Sequence, residues 1–354
     1  MTKERFLGNL EYALKFMAQD EREATLNFYS EMIDDRIEDG LKEEEAVAQM
    51  ESPEEIAARL QKTQESPSYD KENDQGFGND DDADIGSWQK RTVMYPVSQV
   101  RIINVKSDNL PIHVCMDETS DEIKMTYFTS GRDPYSIALN DGELTLTHKG
   151  AFERISSDFV TGLSDLVNNL SQMFSGGSYR SSGAYIDITL PKGYNGALSL
   201  MGSNARIHIE GVQCHAGITA STSNGRIQCS ESALDSLKAQ TSNARVECEE
   251  VKTRGDIQLI SINGRLVARN CVAFGALRMT TSNGAIIVDD ISSDDIRMKT
   301  SNGSVSGSVQ GSQGDYAIDS ATSNGHSNLP ESTTGKKRLS VHTSNGSINI
   351  RFEE

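Results

Sequence analysis

The chain has 354 residues, a formal net charge of −18 and a hydrophobic fraction of 36%, enough for two or three domains with thin cores. No apolar run reaches the roughly eighteen residues of a membrane-spanning helix, and Met1-Thr2-Lys3-Glu4-Arg5-Phe6 lacks the apolar stretch and small-residue cleavage site of a secretory signal. Residues 1–90 hold 24 acidic and 10 basic side chains, so this part repels phosphate backbones and nucleic acid is excluded as its partner.

Residues 1–63 are expected to form a small all-α domain. Phe6, Leu7, Leu10 and Leu14 share one face of a first helix, and Tyr29, Ile33 and Ile37 share a face of a second. Asp20 with Glu23, and Ser52 with Glu55, have capping-box spacing, Pro53 suits a first helical turn and Gly40 a helix end. The run Tyr29-Ser30-Glu31-Met32-Ile33-Asp34-Asp35-Arg36-Ile37-Glu38-Asp39-Gly40, with Glu43-Glu44-Glu45-Ala46 and Ser52-Pro53-Glu54-Glu55-Ile56-Ala57, resembles the bacterial HAAS signalling domain (DUF1700) over about residues 3–62. Met50-Glu51-Ser52-Pro53 departs from that family's usual Leu-Gly-x-Pro phrase. The resemblance implies a signalling role and a protein partner, a PadR-like regulator or a second copy.

Residues 64–90, with Asp80-Asp81-Asp82-Ala83-Asp84, read as an acidic flexible linker, and Trp88 marks the start of the next folded unit. From 91 to 190 the predicted elements are short strands that open and cap a repeat structure. Alternation falls at Val100, Ile102; Ile112, Val114; Ile123, Met125, Tyr127; Ile137, Leu139; and Leu144, Leu146, with Asn140-Asp141-Gly142 as a turn. Within this segment, residues 157–174 place Phe159, Leu163, Leu166, Val167, Leu170, Met173 and Phe174 at helical spacing. Such an amphipathic helix covers an apolar seam or binds a partner; Asp158, Asp165 and the lack of lysine argue against membrane-surface binding.

Residues 191–354 carry eight copies of Ser-Asn-Gly or a near variant, centred on Asn204, Asn224, Asn243, Asn263, Asn283, Asn302, Asn324 and Asn345. A period near twenty residues marks a solenoid, whose windings bury their apolar faces only against each other. Six and four positions before each asparagine, and three and five after it, residues alternate as in Ile257, Leu259 and Leu266, Ala268, so each winding has two short strands with a corner between them. Val212, Val251, Val272 and Ile291 are candidates for a third inward side. The fold class read from this is mainly β: a parallel β-solenoid of two or three strands per winding, right-handed by the default for parallel crossovers. Asn and Gly at the corner point to left-handed backbone, Thr or Ser two positions earlier to a hydroxyl turned onto the corner, and stacked asparagines to an amide ladder. The repeats, with Tyr185-Ile186-Asp187-Ile188-Thr189-Leu190-Pro191-Lys192-Gly193, resemble the DUF4097 family of bacterial β-strand repeat proteins over about residues 91–352. Its adhesin label implies a surface role, and the neighbourhood of some relatives implies envelope stress.

Cys115, Cys214, Cys229, Cys248 and Cys271 are odd in number and lack metal-ligand spacing; Cys229 and Cys248 share one inward slot and are either buried thiols or a bridge, the first fitting a reducing cytoplasm. Arg206, Arg226, Arg245 and Arg265 recur two positions after the asparagine in four successive windings. They form either a solvated stripe neutralised by Glu210, Glu247 and Glu249, or a docking face for an acidic partner, including the chain's own acidic N-terminal region. His113, His148, His208, His215, His326 and His342 are scattered, and no catalytic or phosphate-binding motif is present. Asp289-Asp290 and Asp294-Asp295 imitate the carboxylates of a β-helical polysaccharide enzyme or form a solvated turn. No cofactor or metal is indicated. The functional expectation is a non-enzymatic cytoplasmic interaction and signalling scaffold, against a surface adhesin binding glycan or host protein and, more distantly, a polysaccharide-active enzyme.

Overall fold

A computed structural model describes residues 1–16, 22, 25–26, 29–30, 33, 37, 42–48, 50–57, 89–130, 134–148 and 184–353. They belong to two compact units, one carrying the N-terminal helices and the other the strands. The linker reading up to Trp88, the helical reading of 157–174 and the Asp20–Glu23 box lie outside the described residues.

In the helical unit, Lys3–Ala13 begins at Thr2, whose hydroxyl accepts the Arg5 N–H at 3.3 Å and satisfies one otherwise orphaned donor. Further helical segments cover Glu43–Ala48 and residues 53–57. Ser52 and Glu55 close the expected box: the Ser52 N–H donates to Glu55 Oε2 at 3.0 Å and the Glu55 N–H to Ser52 Oγ at 3.2 Å. Phe6, Leu10, Leu14, Tyr29, Ile33, Ala46, Val47, Ile56 and Ala57 form the core, with Leu7 and Ile37 packed at its margin.

The second unit is a solenoid with three sides. On the first side Ile112–Asp117, Ile207–Glu210, Ile227–Ser230, Val246–Glu249, Leu266–Arg269, Ile286–Ile291, Val305–Gln310 and Ile348–Glu353 run parallel and side by side. On the second, Glu143–His148, Ile102–Ser107, Ala197–Gly202, Gly217–Ser221, Ser236–Gln240, Ile257–Ile260, Ala276–Thr280, Asp295–Lys299, Lys337–His342 and Tyr316–Ala321 do the same. The third side is short: Ala233–Leu234, Lys252–Thr253 and Val272–Ala273, extended by bridges from Gln213 and to Ser292. Period-two alternation turns one residue in two inward, and the resulting columns, such as Leu198, Ile218, Leu237, Ile257, Leu277 and Ile296, are at most 1% exposed. On the third side Val212, Val251 and Ile291 are fully buried as expected, but Cys271 rather than Val272 fills their column. Counted strictly from Asn263, position eight is Cys271; Val272 is shifted by one and only half-buried.

The corner differs from expectation in its cause. None of the repeat asparagines or their glycines has a positive φ. Glycine serves close approach instead: a Cβ at Gly225, Gly264, Gly284, Gly303 or Gly346 would lie less than 3.0 Å from the carbonyl oxygen of Ala205, Ala244, Gly264, Gly284 or Gly303 in the adjacent winding. The left-handed column is the second corner, seven positions past the asparagine, at Gly211, Glu231, Glu250, Asn270 and Asp290, with φ between 48° and 64°.

At both ends the stacking order departs from the chain order. Ile102–Ser107 and Ile112–Asp117 lie inside the stack, covered by Glu143–His148 and Ile186–Pro191, which come later in the chain. Antiparallel strands close this end: Tyr135–Asn140 on Glu143–His148, turned by Asp141 and Gly142 at positive φ, and Gln89–Pro96 on Glu122–Thr129. The edge strand begins at Gln89, just inside the expected linker. At the other end Lys337–His342 inserts between Asp295–Lys299 and Tyr316–Ala321, so the last winding of the chain is the second last of the stack.

Candidate functional site

The asparagine column is one continuous amide ladder. Each Nδ2 donates to the next Oδ1 at 2.6–2.7 Å along Asn324, Asn345, Asn302, Asn283, Asn263, Asn243, Asn224, Asn204 and Asn109. Asn109 is a ninth member that the Ser-Asn-Gly phrase does not reveal. The Thr or Ser two positions before accepts the glycine N–H, as at Thr222–Gly225 and Thr300–Gly303, both 3.2 Å. These asparagines are committed to each other.

Beside this ladder the first side presents its outward residues. Arg206, Arg226, Arg245 and Arg265 stand in register, since Ile207, Ile227 and Val246 donate their N–H groups to the carbonyls of Arg226, Arg245 and Arg265. Their exposure is graded: Arg206 is open, Arg226 half-buried, and Arg245 and Arg265 are 9% and 8% exposed. The reading as a solvated stripe therefore fails for the last two. Of the expected counter-charges, Glu247 is held between Arg226 and Arg269, the latter at 2.6 Å, with its side chain 8% exposed. Burial pushes the Glu247 carboxyl up, but the hydrogen bonds from Arg269 and Arg226 outweigh it and hold it below its ordinary value. Glu210 instead faces histidines.

That second group occupies the N-terminal end of the same face. Register sets Asp187, His113 and His208 side by side on Ile186–Pro191, Ile112–Asp117 and Ile207–Glu210. His113 Nδ1 lies 2.8 Å from Asp187 Oδ1, and the two imidazoles are 5.3 Å apart between centroids. Glu210 Oε2 is 3.9 Å from His113 Nε2 and 4.0 Å from His208 Nε2. Burial is the main influence on His208 and, with the charges of His113 and Arg226, keeps it below the usual imidazole range against the pull of Glu210. Cys115 Sγ adjoins Thr189 Oγ1 at 3.8 Å, and burial pushes this thiol up. The cluster draws on residues 95 positions apart, so it escapes a search for local His motifs; the signal was that His113 and His208 both stand four positions after a ladder asparagine.

The remaining candidates do not converge. Arg297 grips Asp295 with two hydrogen bonds of 2.9 and 2.7 Å, Asp289 accepts from Ser308 Oγ at 3.2 Å, and Asp294 pairs with Lys337 at 3.9 Å. These carboxylates are separately engaged rather than aimed at one point. Cys229 and Cys248 face each other in register, yet all five cysteines are free thiols, and burial pushes Cys229 up to about 12 and Cys271 to about 11. Among the described residues no helix is long and apolar enough to cross a membrane.

An asparagine-laddered β-solenoid joined to a small helical domain defines the architectural class. Family models place it further: one described as Toastrack DUF4097 matches residues 100–351, and one described as HAAS matches residues 5–59. The chain belongs to the Toastrack DUF4097 family and carries a HAAS domain at its N-terminal side. Among solved structures it is similar to a candidate adhesin from Bacteroides fragilis NCTC 9343, with 14% identity, 74% of this chain and 97% of that chain covered and a TM-score of 0.37. A candidate cell adhesion protein from Clostridium sporogenes ATCC 15579 gives 9%, 75%, 100% and 0.28. No curated protein matches the sequence.

Proposed function

We propose that this protein is a non-catalytic interaction scaffold of the bacterial cytoplasm, its HAAS domain engaging a PadR-like regulator or a second copy and its solenoid offering a rigid face to an acidic protein partner, in a pathway responding to envelope stress. The observation that supports it is the backbone register that stacks Arg206, Arg226, Arg245 and Arg265 in one column on strands about 4.8 Å apart, exposed at Arg206 and half-exposed at Arg226. Fixed planar donors of this kind suit bidentate capture of carboxylates.

In-cell crosslinking of the full chain tests this reading. Replacing Arg206, the exposed member of the column, with serine is expected to lower recovery of acidic partners several-fold while the melting temperature stays near that of the wild type; Arg226 is left in place because it holds the buried Glu247. Unchanged recovery would remove the arginine face from the account. Protease shaving of intact cells tests the compartment: a protected protein agrees with the scaffold, and a digested one replaces it with the surface adhesin.

A further inference from the structure

On the outer face of the first side, two imidazoles and a carboxylate from neighbouring strands converge where neither the family nor the interaction reading assigns a role. We propose that His113 Nε2, His208 Nε2 and a Glu210 carboxylate oxygen bind one divalent transition-metal ion, with Asp187 as the group that orients His113. The separations carry this assignment. At 3.9 and 4.0 Å, Glu210 Oε2 is too far from either ring nitrogen to share a hydrogen bond. Zinc bonds of about 2.0–2.1 Å in tetrahedral array put ligand atoms roughly 3.4 Å apart; the three ligand atoms lie within 4.8 Å of one another, so binding draws them together by no more than about 1.4 Å.

Two further features prepare the site. His113 and His208 are register partners on adjacent parallel strands, so their Cα positions are fixed by backbone hydrogen bonds rather than by loop conformation. Asp187 accepts from His113 Nδ1 at 2.8 Å, which sets the tautomer that leaves the Nε2 lone pair available to an ion held between His113 and Glu210, the usual arrangement of a carboxylate behind a metal-bound histidine. The side chains are 37%, 39% and 51% exposed for His113, His208 and Glu210, so an ion reaches them from solvent. Arg226, whose charge reaches His208, is itself engaged by Glu247. Imidazole nitrogen with a single carboxylate selects zinc, copper or nickel over calcium and magnesium. Three protein ligands leave a fourth tetrahedral position for water or for a donor from another molecule. His113, Cys115 and Asp187 also lie close enough to hold an ion, but that set would take Asp187 from its place behind His113.

Calorimetric titration of zinc into the full-length, chelator-treated protein, together with the visible spectrum of its cobalt form, tests the proposal. The expected result is one ion per chain whose affinity falls about 100-fold in His208→Ala and in Glu210→Gln, and about tenfold in Asp187→Asn, with Cys115→Ser unchanged. Glu210 is exposed, so Glu210→Gln keeps the fold, and an unaltered melting temperature without metal confirms it. Wild-type uptake no greater than that of His113→Ala/His208→Ala overturns the site. So does a cobalt–thiolate absorption band that disappears with Cys115→Ser, which would move the ion to the Cys115 set.

Discussion

Glu247 illustrates how one side chain decides whether a column of like charges is tolerable. Its carboxylate, almost fully buried, bridges Arg226 and Arg269 from the windings on either side, and hydrogen bonds between charged groups are worth about 1.5–3 kcal/mol each. Glu247→Gln is expected to destabilise the solenoid by about 1–3 kcal/mol at neutral pH, read by chemical denaturation. The pH dependence has a definite sign. Because the folded-state pKa lies below the ordinary glutamate value of 4.5, the contribution of Glu247 is fully present above that value and is lost as pH falls through the folded pKa. The gap in melting temperature between wild type and Glu247→Gln should therefore narrow on going from about pH 7 to about pH 3; a constant gap would mean that the carboxylate charge is not what the arginines recognise. Residue types alone named Glu247 as a neutraliser, but not which of three glutamates would act, since that depends on the diagonal from Arg226 to Arg269.

At the scale of the winding, the corner carries the lesson. Glycine after asparagine suggested left-handed backbone, whereas the structure uses glycine to let one winding's corner touch the carbonyl of the next. The left-handed residues sit at the second corner, where Glu231 and Glu250 give no compositional hint. A Cβ at Gly303 meets the Gly284 carbonyl oxygen, while one at Gly193 meets nothing within 4 Å. Gly303→Ala is expected to cost about 1–3 kcal/mol through overpacking, and Gly193→Ala to stay within about 0.5 kcal/mol of neutral. Equal effects in the two variants would show that the corner is looser than described. The inward strand columns of residues 191–354 were legible because period-two alternation survives in most windings; near the N-terminal end of the stack Ile102, expected in the alternation, is 39% exposed, and Ile103 and Val105 face inward instead. The third side was legible except at Ser232 and Cys271, where a hydroxyl and a thiol in an aliphatic slot hid the column.

For the whole molecule, recurrence in the text located the windings but not their order at the ends. The signal was present in the residues that face inward. Tyr316–Ala321 carries Ser320, whose Oγ donates to the Pro330 carbonyl at 2.9 Å, and the same winding has Ser327 where others have aliphatic residues. A winding with hydroxyls in its inward slots suits a terminal position, covered on one side only, whereas Leu339, Val341, Ile348 and Ile350 suit the interior. Likewise Ile103, Val105, Ile112 and Val114 mark Asn109 as part of an interior winding, although Asp108-Asn109-Leu110 lacks the glycine that flags the others. The histidine and carboxylate cluster depends on that placement, because only the inward position of Ile112–Asp117 brings His113 between Asp187 and His208.

Disulfide trapping tests the stacking itself. Arg297 and Asp319 both pair with Ser340, on opposite sides of Lys337–His342, so Arg297→Cys with Ser340→Cys joins adjacent strands while Arg297→Cys with Asp319→Cys spans two strand spacings, about 9.6 Å and beyond disulfide reach. Mild oxidation followed by peptide mass spectrometry is expected to find the first bridge in high yield and not the second. Efficient bridging of Arg297→Cys to Asp319→Cys, with none to Ser340→Cys, would contradict the stack of windings described here and with it the columns on which every site in the molecule depends.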